Sequence, residues 1–313
     1  MPQSEPDEIA SSAEIIRQGG LVAFPTETVY GLGANALDET AVARIFEVKG
    51  RPATSPLIVH VASIDMARVI VAEWPPDAEK LGSRFWPGPL TLVLRRHLRI
   101  PLTVTAGLDT VGIRVPAHPI AQALLRQAGV PIAAPSANRF TELSPTSADH
   151  VRDSLGDAVE CVLDGGPSQV GLESTVLSLA EEPPAILRPG MISKQDIEAL
   201  IGPVAVGAAP APRTAHASPG QHPRHYSPRT PLLLVTDGAV PTGRGAYVFH
   251  TRPNAAVSRN VSMPSAPDSY AAALYSTLHD LDRESLDWIA VERPPDTPEW
   301  AAILDRLGRA CRK

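Results

Sequence analysis

The chain has 313 residues, 43% hydrophobic and 20% charged, and its 28 Lys+Arg against 34 Asp+Glu give a formal charge of −6. This is the composition of an ordinary soluble globular protein long enough for two domains of about 150 residues, and its acidic balance argues against broad nonspecific nucleic-acid binding. No apolar run approaches the roughly 18 residues of a bilayer span, and the opening MPQSEPDEIA lacks a basic, apolar leader, so no membrane partner and a cytoplasmic address are expected. The two cysteines, Cys161 and Cys311, are too far apart in sequence to indicate a disulfide framework or a thiolate metal site.

In chain order, Ile9 to Gln18 reads as a helix stopped by Gly19-Gly20, and LVAFPT follows as a strand. The stretch FPTETVYGLGANA, residues 24–36, carries the loose pattern G-x-G-x-x-A, but the next helix cap comes only at Asp38. It therefore reads as a substrate loop, with Gly31 and Gly33 letting the backbone turn close to a pocket. A helix is expected from Glu39 to Lys49, capped by Asp38, burying Val42, Ile45 and Phe46, and stopped by Gly50 and Pro52. Strands PLIVHV and LTLVL come next. Pro119 opens a helix running through Leu125 and ending before Gly129, and PIAAPS is the strand after it. Thr146 and Asp149 suggest a capping box, followed by strands VECVLDG, STVLSL and AILR.

Residues Gly202 to Pro231, rich in Pro, Ala and Gly and without apolar periodicity, read as a linker. Beyond it, PLLLVTD, GAYVFHT and LDWIAVE read as strands, SYAAALYSTLHDLD and PEWAAILDRLGRACRK as helices, which predicts a small α/β domain with some parallel pairing. The expected division is 1–203, a linker over 204–230, and 231–313.

Several residues have both a structural and a chemical reading. Lys49 and Arg51 complement a helix dipole at its carboxyl end, yet beside Thr54 and Ser55 they also suit a polyphosphate. His60 alternates with Val59 and Val61, the pattern of a half-buried strand histidine. Arg114, in TVGIRVP, would be expensive to bury unpaired, and its partner is either a bound carboxylate or an internal Asp or Glu. PSAN, residues 135–138, sets a hydroxyl and an amide at a strand's carboxyl end, where α/β proteins bind ligands. His216, His222 and His225 lie in the Pro-rich segment without acidic or thiol neighbours, so no metal site is expected of them.

Together, the ordered motifs PTETVYGLG, KGRP with a downstream IVHV, FWPGPLTLVL, VGIRVP, PSAN followed by SPT, DGGPSQVGLEST, LRPG and RHYSP closely resemble the YrdC-like family. Within it they are similar to the long two-domain form of threonylcarbamoyl-AMP synthase, from about Gly19 to Pro228, while PPDTPEWAAILDRL matches only in general pattern and carries little functional weight. The resemblance implies a twisted open mixed α/β sheet with a concave active-site cavity and a small Rossmann-like C-terminal α/β domain. It implies that L-threonine, bicarbonate or CO2 and ATP, with Mg²⁺ accompanying the nucleotide, give threonylcarbamoyl-AMP and pyrophosphate for a separate tRNA threonylcarbamoyl transferase.

Carried over by motif, Thr28, His60, Arg114, the backbone at Ala134, and Ser174 would hold threonine, with Arg114 on its carboxylate. Arg51, Ser55, Thr110, Ser136, Asn138, Ser144, Arg188 and Tyr226 would hold ATP. Lys49 and Arg51 would stabilise phosphate charge, so that the protein mainly positions reactants. Tyr226 in RHYSP suggests that the linker folds back over the cavity as a lid. The rival implied by the same fold is a noncatalytic protein whose basic concave surface binds double-stranded RNA, weakly in a chain of this charge.

Overall fold

The computed structural model describes residues 5–207 and 225–311. Ten strands form one mixed sheet: β1 Val22–Phe24, β2 Gly31–Asn35, β3 Ile58–His60, β4 Leu90–Arg95, β5 Thr110–Arg114, β6 Ile132–Ala133, β7 Cys161–Val162, β8 Thr175–Ser178, β9 Ala185–Arg188 and β10 Ala205–Val206. Their spatial order is β10-β9-β8-β4-β5-β3-β6-β2-β1-β7. Four more, β11 Leu232–Val235, β12 Gly245–Phe249, β13 Arg259–Ser262 and β14 Trp288–Glu292, make a parallel sheet in the order β11-β14-β12-β13. The α/β class, the twisted mixed sheet and the second small parallel-sheet unit agree with the expectation.

Both faces of the large sheet are covered because its strands are apolar on alternate sides. Val22, Phe24 and Ile132 join one cluster with helices Pro6–Arg17 and Pro119–Ala128, while Ala23, Val59 and Ala133 point into the other, with helix Glu39–Lys49. The helix Glu39–Lys49 matches its prediction at both ends. Asp38 accepts from Thr40 and Ala41 N–H, and Gly50 ends it at φ 61°.

Other expectations need correction. Gly31 and Gly33 do not turn the chain but lie inside β2, where a Cβ on Gly33 would come within 2.7 Å of Phe24 and Ile132. Glycine is required there by close packing, a signal that spacing in sequence does not distinguish from a loop. The cap expected at Thr146 belongs to Ser147, whose hydroxyl accepts from His150 N–H, so the helix is Ala148–Leu155. Helices Ile64–Ile70, Pro76–Phe85 and Lys194–Ile201 and strand β13 were not read from the sequence, being short or interrupted by Pro and polar residues. Within the linker stretch, Ala205–Val206 adds to β9 as an edge strand. Among the described residues no helix is long and apolar enough to cross a membrane.

The small parallel sheet is tied to the large unit by a mixed apolar cluster. Val29, Leu143, Leu172 and Tyr226 pack with Leu274, Tyr275 and Ile303 from helices Pro267–Asp282 and Ala301–Ala310. This cluster lies directly behind the site.

Candidate active site

The carboxyl ends of β3 and β5 meet at the first functional pair. His60 and Arg114 are register partners across these parallel strands, and Ala134 N–H donates to Ile58 O at 2.9 Å on the neighbouring side. The TETVY segment closes over them through a hydroxyl-based turn: Thr26 Oγ1 donates to Val29 O at 2.6 Å and accepts from Val29 N–H at 3.2 Å. Thr28 is thereby fixed facing Arg114, whose Nη1 donates to its hydroxyl at 2.8 Å.

Arg114 is buried, and of the two partners left open by the sequence the structure shows the internal one. Its Nη2 lies 2.6 Å from Glu27 Oε1, and its Nε donates to Gly88 O at 3.2 Å. Glu27 Oε2 in turn accepts from Ala117 N–H at 2.9 Å. Thr28 and Gly88 accept from Nη1 and Nε, while Nη2, close to Glu27 Oε1, makes no aligned hydrogen bond, so the guanidinium keeps N–H groups for a ligand.

Arg51 follows the left-handed Gly50, and its N–H returns to Phe46 O at 3.0 Å, which turns the side chain inward. Its Nη2 donates to Pro56 O at 3.0 Å and its Nε to the Ser55 carbonyl at 3.4 Å. Arg188, at the end of β9, donates from Nε and Nη2 to Ser174 O at 3.2 and 3.0 Å. Gly190 permits this approach of the LRPG turn, since a Cβ there would sit 2.3 Å from Thr175 N.

One open cavity is lined by nine of the predicted residues: Thr28, Arg51, His60, Arg114, Ala134, Ser136, Ser174, Arg188 and Tyr226. The other five do not line it. Lys49 is buried behind Ser136, its Nζ donating to Ser136 O at 2.6 Å and to Asn138 O. Asn138 Nδ2 donates to Arg139 O and Glu142 O, and the Ser55 carbonyl bonds to Arg51. Ser144 donates to Glu173 at 2.5 Å. Thr110 starts β5 opposite Arg95, roughly 13 Å of strand from Arg114.

Burial governs the charges here. It pushes His60 down to about 3, reinforced by the Arg114 charge, so the imidazole is neutral near pH 7. Burial likewise lowers Lys49 well below its ordinary value, with the charge of Arg51 adding to it, and brings Arg51 to about 10 despite the opposing influence of Tyr226. Tyr226 Oη and His60 Nδ1 are buried without a hydrogen-bond partner among the described residues, although both residues line the cavity. Such groups are costly unless something satisfies them.

Three residues of the site escaped the sequence reading. Glu27 and Glu173 sit inside the quoted motifs TETVYG and GLEST, but with hydroxyl residues beside them nothing local marks them as buried, which only the fold shows. The third is Arg306, in the C-terminal helix given little weight. Fully buried, it reaches Glu173 Oε2 at 2.7 Å.

Among the described residues no cluster of three or more His, Cys, Asp or Glu could hold a metal ion, and Glu173 on the cavity and Glu27 behind Arg114 are both paired with arginines. A divalent ion carried on nucleotide phosphates fits this arrangement better than one held in a protein cage. His216 and His222 lie outside the described residues.

Two family models match the chain. The one described as Telomere recombination, which covers the Sua5, YciO and YrdC proteins, matches residues 14–190, and the threonylcarbamoyl-AMP synthase C-terminal domain matches residues 192–311. A threonylcarbamoyl-AMP synthase of Pyrococcus abyssi is 51% identical over 332 aligned positions, covering 97% of this chain and 94% of the relative. That of Bacillus subtilis is 42% identical, covering 97% and 92%. The crystal structure of P. abyssi Sua5 complexed with L-threonine superposes with a TM-score of 0.92 at 40% identity, over 99% of this chain and 96% of that one. From the motif order, the two sheets and these likenesses over nearly its whole length, the chain belongs to the threonylcarbamoyl-AMP synthase family.

Proposed function

We propose that the cavity makes threonylcarbamoyl-AMP and pyrophosphate from L-threonine, bicarbonate or CO2 and ATP, supplying a threonylcarbamoyl transferase that acts on tRNA. The observation that carries this reading is the convergence of Arg51, Arg114 and Arg188 with neutral His60 and the orphan Tyr226 hydroxyl on one cavity. Three cations suit a substrate set consisting of a carboxylate and a polyphosphate. The likeness to a protein solved with L-threonine adds the amino acid. Nothing among the relatives favours the RNA-binding alternative.

The chemistry needs no protein nucleophile. Threonine's amine bonds to the carbon of CO2 and loses a proton, giving a carbamate; a carbamate oxygen then bonds to the α-phosphorus of ATP as the bond to pyrophosphate breaks. Arg114 would hold the threonine carboxylate with the N–H groups it keeps free, while Thr28 and Glu27 fix its plane. His60, neutral and buried, would hydrogen-bond rather than take the proton, since a group that low is a weak base. Arg51 and Arg188 would neutralise charge developing on the phosphates, and Lys49, bonded to Ser136 O and Asn138 O, would shape the PSAN loop that faces them. Mg²⁺ bound with ATP would polarise its phosphates. His225 and Tyr226, at the end of the Pro-rich segment, form one wall, which supports a role for that segment's end in covering the nucleotide.

The test is purified protein with ATP, labelled bicarbonate and one amino acid at a time. Pyrophosphate release that depends on threonine is expected. Equal release without threonine, or with any amino acid, contradicts the reading.

A further inference from the structure

Arg306 is the largest fully buried side chain among the described residues, and it belongs to the C-terminal helix rather than to the sheet that bears the cavity. Its guanidinium donates to Glu173 Oε2 at 2.7 Å and to Pro189 O at 3.0 Å, and pairs with Asp305 at 2.6 Å. Glu173 immediately precedes Ser174, and Pro189 immediately follows Arg188. One side chain therefore clips together the two turns that present Ser174 and Arg188. These two are themselves joined, through Arg188 Nη2 and the Ser174 hydroxyl at 3.2 Å.

The same guanidinium lies 5.2 Å from the Tyr226 ring centroid. Tyr226 has a φ of 63°, a conformation unfavourable for an aromatic residue, and its ring also stacks with Tyr275 from helix Pro267–Asp282. Packing from the C-terminal unit thus holds Tyr226 where its unpartnered hydroxyl meets the cavity. Glu173 is shared in the same way, accepting from Ser144 at 2.5 Å and from Tyr275 at 3.2 Å.

We propose that Arg306 is a positioning residue through which the C-terminal unit sets the Arg188 and Tyr226 wall of the cavity, with Ser174 of the threonine set held beside it, and thereby its affinity for ATP. This rests on the reading of the cavity as the ATP and threonine site. Arg306 touches no substrate; it acts through the three segments it joins. A guanidinium is needed because the contacts diverge to a carboxylate, a carbonyl and a ring, a geometry that an ammonium cannot match.

The experiment is calorimetric titration of MgATP into the full-length wild-type protein, Arg306→Lys, the double variant Arg306→Met/Glu173→Gln and the surface control Arg259→Ala, with thermal unfolding of each. The lysine variant keeps the charge, and the double variant removes both buried charges so that a folded chain is retained if the single change unfolds. Both are expected to bind MgATP at least about tenfold more weakly than wild type, with Arg259→Ala unchanged. A purely structural Arg306 would lower the unfolding temperature but leave the affinity of the folded protein within about threefold, and that result overturns the proposal. Wild-type protein that binds no MgATP would overturn the underlying reading of the cavity, and this proposal with it.

Discussion

Two buried arginine-glutamate pairs flank the cavity, and they differ in what they connect. Glu27 and Arg114 join two segments of the large unit, across the carboxyl end of β5. Glu173 and Arg306 join the large unit to the C-terminal helix. The first pair sits on the wall assigned to threonine, while the second stands behind the wall assigned to the nucleotide. In the second, burial alone would raise the Glu173 carboxyl, but the charges of Arg306 and Arg188 and the Ser144 hydrogen bond hold it below its ordinary range. A buried pair is weak evidence of net stability, because desolvation offsets much of the attraction, but removing one member strands the other. Position in the fold, rather than strength, decides what each pair does.

The largest expected effect comes from breaking the first pair on its anionic side. Glu27→Ala leaves Arg114 buried without its carboxylate and should cost about 3–5 kcal/mol of stability in urea unfolding. A loss under about 1 kcal/mol would mean that water reaches the guanidinium and that the two pairs are not alike in burial. Arg114→Ala tests the other side, with an expected loss of about 2–5 kcal/mol in threonine binding or turnover, roughly thirtyfold to a few thousandfold. A folded variant with near-normal threonine dependence would remove Arg114 from the substrate wall.

Acid should act on both regions. Burial lowers His60 to about 3 on the first wall, and lowers His150 and His279 to about 4 where their rings stack at 3.8 Å between the two units. All three have a lower value folded than unfolded, near 6.5, so the unfolded chain takes up protons that the native one refuses. The stability they contribute is complete above pH 6.5 and is lost as pH falls toward 4, by at most about 1.4 kcal/mol per pH unit for each group. His150→Phe should keep the stacking and lower the proton uptake on unfolding at pH 5 by about one; an unchanged pH slope would show that His150 is already protonated in the folded chain.

The smallest effect is the most diagnostic of the nucleotide wall. Tyr226→Phe removes a buried hydroxyl without a partner among the described residues, so the free protein should be no less stable, while MgATP affinity should fall by about 0.5–1.5 kcal/mol. Loss of stability with unchanged affinity would assign that hydroxyl a structural partner instead.

The same contrast explains what the sequence disclosed. Helix Glu39–Lys49 was legible at both ends because its cap, apolar stripe and stop lie within a dozen residues, and Arg51 follows from that stop. Arg114 was legible as a charge in an apolar strand, but its partner, 87 positions away at Glu27, was not, so carboxylate ligand and internal acid stayed equal choices. Thr110 came from a motif alone, and strand geometry sets it at the start of β5, the opposite end from Arg114. Arg306 lies 133 positions from Glu173 and reads locally as an ordinary helix charge beside Asp305. Period and capping are local physics, whereas ion pairing across a fold depends on topology that no window of sequence contains.

The most direct measurement is a crystal structure of the full chain with L-threonine and a nonhydrolysable ATP analogue. It should show the threonine carboxylate on Arg114 beside Thr28 and His60, and the nucleotide against Arg51, Arg188 and the Tyr226 hydroxyl. Either ligand bound outside this cavity, or an Arg114 still turned wholly to Glu27 with the carboxylate elsewhere, would contradict the assignment of the two walls.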